Sequence, residues 1–122
     1  MKVIIDLDGT ITANPDFFRL LIHLLSKNGV EVHILTARKP SRNKETNKEF
    51  EMLGLLALDD NPITAHSMSE HSSDWKKQMQ WKIDEAIKIK PDMWIDNDFK
   101  MWDRIYQVDV KKALPKTTII QI

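Results

Sequence analysis

Apolar positions along the chain fall into two kinds of segment, short β-branched runs and longer stretches at helical spacing, and the two alternate. Residues 2–6 (KVIID) are short, β-branched and bounded by a glycine turn, which predicts a buried strand. Asn14 followed by Pro15 reads as a helix cap with proline at the first helical position. Phe17, Phe18, Leu20, Leu21, Leu24 and Leu25 then recur at helical spacing until Asn28-Gly29 supplies a stop. Residues 30–35 (VEVHIL) predict a second strand, 42–53 a helix closed by Gly54, and 55–58 a short third strand. Residues 59–73, rich in Asn, Pro, His and Ser, read as loop. Asp74 caps a helix from Trp75 to about Ile89, which Pro91 ends; 92–95 form a fourth strand, 99–106 a short helix and 117–120 a fifth strand. Strands alternating with helices of this length predict an α/β fold, a mostly parallel sheet of about five strands covered on both faces.

Composition narrows the picture without changing it. The chain has 122 residues, room for a single domain over 1–122. Its 18 basic and 18 acidic side chains cancel, which argues against a generic nucleic-acid coat or a polybasic membrane binder. The absence of cysteine removes disulfides, thiolate metal sites and cysteine nucleophiles. No apolar run approaches the ~18 residues of a membrane span and the first residues do not read as a signal peptide, so the expectation is a cytoplasmic protein with no membrane partner.

In an open parallel sheet, ligands bind beyond the carboxyl ends of the strands. The first strand ends in Asp6-Leu7-Asp8-Gly9-Thr10, the second in Thr36 with Arg38 two residues on, and the fourth in Asp96-Asn97-Asp98. Three strand ends thus deliver carboxylates, a hydroxyl and a basic group to one edge. Two carboxylates at i and i+2, followed by a glycine turn, can converge on one cation, and a second acidic cluster completes an oxygen-ligand site of the kind Mg²⁺ prefers. A carboxylate beside such an ion can attack phosphorus.

DLDGT, a hydrophobic strand ending in Thr36, a later lysine and a late acidic cluster, in that order over nearly the whole chain, resemble the haloacid dehalogenase superfamily. The resemblance implies a three-layer Rossmann-like sandwich and a Mg²⁺-dependent phosphatase that releases phosphate through an aspartyl-phosphate intermediate. It implies Asp6 as nucleophile and metal ligand. Asp8 would be general acid/base, with its backbone carbonyl on the metal, and Thr36 would bond the phosphoryl oxygens. It implies Lys82 as the lysine that reaches the phosphoryl group and steadies Asp6, with Lys77 and Lys76 as rivals one turn earlier and Lys90 less favoured. Asp96 and Asn97 complete the metal set, although such proteins often carry a second aspartate where this chain has Asn97, which leaves Asp98 as the other candidate. The second aspartate of the motif, Asp8, favours a phosphatase over a dehalogenase.

Nothing between Asp8 and the first helix, nor in 59–73, is long enough to fold as a cap domain. The resemblance is therefore to capless members, whose open sites suit a phosphorylated small molecule, a nucleotide or a nucleic-acid end, unless a second copy in a homodimer closes the site. A catalytically weak phosphate-binding protein and a phosphotransferase are the alternatives. Arg38, Lys39, Arg42, Lys44 and Lys48 read either as a solvated face or, for Arg38 and Arg42, as a rim that binds an anionic substrate. His66 and His71 read as polar loop residues. Trp75, Trp81, Trp94 and Trp102 read mostly as packing residues, with base stacking as the other use, and the methionines as gap-fillers.

Overall fold

The run Lys2–Asp6 forms the central strand of a parallel sheet because its side chains are apolar on both faces: Val3, Ile4 and Ile5 are wholly buried. In the computed structural model, which describes residues 1–52, 54 and 63–122, this strand (β1) pairs on one side with β2 (Glu31–Thr36) and on the other with β4 (Met93–Asp96). Among the described residues the sheet has five strands, all parallel, in the order β3-β2-β1-β4-β5, with β3 at Thr64–Ser67 and β5 at Thr118–Gln121. Helices α1 (Pro15–Lys27), α2 (Asn43–Met52), α3 (Trp75–Ile89), α4 (Phe99–Tyr106) and the single turn α5 (Val110–Ala113) cover the two faces. No helix among the described residues is long and apolar enough to cross a membrane.

Alternation along β1 divides the core. Val3 and Ile5 join Phe18 and Ile22 of α1, Phe50 of α2 and Ile34 of β2 in one cluster. Ile4 points the other way, into Met79, Ile83 and Ala86 of α3, Trp94 of β4 and Phe99 and Trp102 of α4. This is the expected three-layer Rossmann-like sandwich. Because the middle strands are sealed on both faces, the sheet meets solvent chemistry at its ends.

Local signals place the helices. Asp74 accepts the Lys76 N–H at 2.9 Å and caps α3, while Lys90, in the left-handed conformation at φ 57°, closes it ahead of Pro91. The α1 stop is a Schellman motif: Gly29 at φ 79° donates to Ser26 O, and Val30 donates to Leu25 O at 3.0 Å. Asn14 occupies the α1 cap position, but its side chain makes no capping hydrogen bond.

The third strand departs from expectation. The run 55–58 lies outside the described residues, and β3 is the polar segment Thr64–Ser67, inside the stretch expected as loop. Its residues are exposed or half-buried at the sheet edge, so it carries no apolar signature and is set by pairing with β2 from His33↔Thr64 to Thr36↔Ser67. His66 is therefore a strand residue. Its Nε2 lies 2.9 Å from His33 Nδ1, and the two rings stack.

Ile5→Ala should destabilise the protein by about 2–5 kcal/mol in urea unfolding, since it opens a cavity in a central strand that cannot collapse. Leu20→Ala, at a position 60% exposed on α1, should move stability by less than about 0.5 kcal/mol.

Candidate functional site

The site is built where β1, β2 and β4 end. After Asp6 the chain leaves the sheet and doubles back over Leu7–Ile11, closed by Thr12 N–H to Leu7 O at 3.1 Å. Gly9 makes this return at φ 80°, where a side chain would be strained and a Cβ would stand 2.5 Å from the Asn97 amide and push it aside. The turn brings Thr10 Oγ1 to 3.3 Å from Asp6 Oδ2.

Lys82 rises from α3, buried at 5% exposure, and its ammonium donates to Asp6 Oδ1 at 2.6 Å and to Asp96 Oδ2 at 3.2 Å. Asp96 Oδ1 accepts the Asp98 N–H at 3.0 Å, so both of its oxygens are engaged. Lys76, Lys77 and Lys90 are exposed; of the lysines weighed from sequence, Lys82 is the one at the carboxylates. Burial raises the Asp6 carboxyl to about 7; Lys82 pulls against this shift and Asp96 adds to it. Burial alone would lower Lys82, but Asp96 and Asp6 outweigh it and hold the ammonium charged, above the ordinary lysine range. Asp98 is likewise raised, by burial and then by Asp96.

Asp8 and Arg38 form the second half. Thr36 Oγ1 accepts the Arg38 N–H at 3.2 Å and lies 3.4 Å from Asp8 Oδ2. The Arg38 guanidinium grips Asp8, with Nε 3.1 and 3.0 Å from the two carboxylate oxygens and Nη2 2.6 Å from Oδ1. The same guanidinium reaches Glu49 Oε2 at 3.0 Å and donates to Thr46 Oγ1 at 3.3 Å on α2. Its hydrogen bonds to the Asp8 carboxylate hold Arg38 above even the usual guanidinium range, against its burial. Arg38 thus sits at 7% exposure inside a clamp and not at an open rim, and Arg42 pairs with Glu45 at 3.1 Å. Of the two readings of this basic stretch, a solvated face or an anion-binding rim, the structure places both arginines against acidic partners.

Asn97 completes the edge. One atom of its amide lies 3.0 Å from Asp6 Oδ2, 3.3 Å from the Asp8 carbonyl oxygen and 3.3 Å from Thr10 Oγ1. With nitrogen there, the amide can donate to these neighbours. With oxygen there, acceptors converge on acceptors, an arrangement that a hard cation resolves. No three His, Asp or Glu side chains converge as metal ligands among the described residues; this donor set is one carboxylate, one carbonyl and one amide.

Asp6, Asp8, Lys82 and Asp98 supply the charged lining of a cleft of about 220 Å³, with Gln78 as a further polar group. Its apolar wall includes Trp75, Met79, Met101 and Trp102, with the Lys82 Nζ 5.8 Å from the Trp102 ring centre. Thr46, Glu49 and Trp75 were not singled out from sequence as parts of this edge; only the tertiary return of α2 and α3 to the strand ends brings them there. His71, expected as a loop residue, pins the edge through Nδ1, 2.8 Å from Ala37 O.

No family model matches the chain, and no curated protein matches it. Among solved structures, it is similar to a universal stress protein in complex with cAMP, at 12% identity and TM-score 0.57, over 100% of this chain and 95% of that one. At that identity the likeness is one of fold. The comparison corrects the expectation of a haloacid dehalogenase phosphatase: the fold is shared end to end with a protein of another family, seen with a nucleotide, and no family model recovers the motif-based assignment. The classification as a hydrolase acting through an aspartyl phosphate falls with it. Both oxygens of Asp8 are held by the Arg38 guanidinium.

Lys82→Met leaves Asp6 and Asp96 buried side by side with no cation between them. It should cost about 3–5 kcal/mol at neutral pH. Without the ammonium, the folded state retains protons that the unfolded chain releases, so the variant should lose further stability as pH rises and recover part of the deficit at pH 5. Urea unfolding at pH 5 and pH 8 checks both; a deficit independent of pH would contradict this account.

Proposed function

We propose that the protein binds the phosphate group of a nucleotide at the carboxyl edge of its sheet, with Mg²⁺ as the bridging charge. One observation carries the reading: a single atom of the Asn97 amide stands within 3.3 Å of both Asp6 Oδ2 and the Asp8 carbonyl oxygen, beside the buried ammonium of Lys82. Four carboxyl groups, Asp6, Asp8, Asp96 and Asp98, stand here against two cations, Lys82 and Arg38, and Arg38 is turned to Asp8 and Glu49. A dianionic ligand would be repelled from this edge unless a divalent ion entered with it.

In this reading Asp6, the Asp8 carbonyl and Asn97 hold the ion, which supplies charge neutralisation for the incoming phosphate. Lys82 and the Thr36 hydroxyl face the phosphoryl oxygens. Asp96, engaged by Lys82 and by the Asp98 N–H, positions the ammonium and does not ligate the metal. Asp8 serves through its backbone while its side chain braces Arg38. The solved universal stress protein of like fold is in complex with cAMP, which favours a nucleotide over other phosphates.

Calorimetric titration of adenosine 5′-monophosphate should show binding in Mg²⁺ that a chelator abolishes. Asp6→Asn should weaken it by on the order of tenfold or more, through loss of a charged ligand. Because Asp6 titrates near 7, affinity for the ion should rise as pH rises from 6 to 8. Binding that is indifferent to Mg²⁺, or absent across nucleoside mono-, di- and cyclic phosphates, would overturn the proposal.

A further inference from the structure

The cleft above the proposed phosphate position has two chemical halves. Its floor is charged, while the wall formed by α3 and α4 presents Trp75, Met79, Met101 and Trp102. Three of those four are part of the packed interior or its margin: Met79 is 1% exposed, Trp102 is 2% exposed, and Met101 is half-buried against the same cluster. Trp75 differs. It begins α3, lines the cleft and is 58% exposed.

We infer that Trp75 is the stacking platform for the base of a nucleoside phosphate, which makes the ligand aromatic and not an alkyl or simple sugar phosphate. This rests on the phosphate reading above and adds its other half. The indole is amphipathic and holds few rotamers. Asp74 caps the helix immediately before it and Gln78 Nε2 donates to Ser72 O at 2.7 Å one turn later, so the backbone that carries the ring is fastened. A ring that stacks on an exposed indole gains dispersion and sheds apolar surface on both partners. The Lys82 ammonium, also in the cleft lining, already stands near the Trp102 face, so the aromatic wall and the phosphate floor adjoin.

The test compares adenosine 5′-monophosphate with ribose 5-phosphate, which keeps the sugar and phosphate and lacks the base, by calorimetry in Mg²⁺. The wild type should prefer the nucleotide by on the order of tenfold. Trp75→Ala should erase that preference while leaving ribose 5-phosphate affinity unchanged. Trp75→Phe should retain most of it but lose the quenching of tryptophan emission that the nucleotide causes. Equal wild-type affinity for the two ligands, or a preference that survives Trp75→Ala, would overturn the platform and leave the phosphate site standing. Binding of neither ligand to the wild type would overturn both readings. At 58% exposure Trp75 lies outside the core, so its replacement should not unfold the chain.

Discussion

A single buried ammonium group sits between two carboxylates where the first and fourth strands end. Lys82 comes from the middle of α3, Asp6 from the end of β1 and Asp96 from the end of β4, and each is nearly or wholly removed from water. Isolated, any one of the three would be costly to bury. Together they fix the rotation of α3 over the sheet and the relative height of the two strand ends, because a shift of one residue in either strand would turn its carboxylate to the opposite face. The turn at Gly9 and the Asn97 amide close over the same Asp6 carboxylate, whose burial raises its carboxyl while the ammonium pulls the other way.

The second clamp is of another kind. Arg38 binds Asp8 on one side and Glu49 and Thr46 on the other, so the loop after β2 is tied both to the turn after β1 and to α2. Asp8 itself is exposed, and a guanidinium that would be of little value on the open surface gains from its own burial and fork geometry. One cation holds helix to sheet from beneath and the other holds loop to loop from the side.

Much of the fold was legible in the residues because its signals are local. KVIID, the Asp74 cap, and Asn28-Gly29 act within a turn or a strand, and the elements they mark fall where the patterns place them. β3 was not legible: TAHS is a polar edge strand whose position is set by pairing with β2 and by the contact of His66 with His33. The single turn Val110–Ala113 is too short to show a period. At the site, the convergence of Asp6, Asp8, Thr36, Asp96 and Asn97 on one edge followed from strand ends in a parallel sheet, whereas Lys82, in the middle of α3, was named only through the family resemblance. The Arg38 side chain could not be placed that way, since clamp or rim depends on where α2 lies in space. The family reading went further than those residues carry, because a constellation of strand-end carboxylates describes a place in a fold, and the same fold is found in a protein of another family seen with a nucleotide.

The welding role of Lys82, Asp6 and Asp96 bears on how this chain can change over evolutionary time. A drift to alanine at Lys82 would strand two buried carboxylates, and at either aspartate it would remove one of the two partners of a buried ammonium, so folding itself opposes their loss whatever the cleft holds. Descendants that had abandoned every ligand would still display the triad, and persistence of these residues among relatives would record mechanical necessity before it recorded chemistry. Positions such as Trp75 and Asn97, which the core does not require in the same way, are where a change of use would first be written.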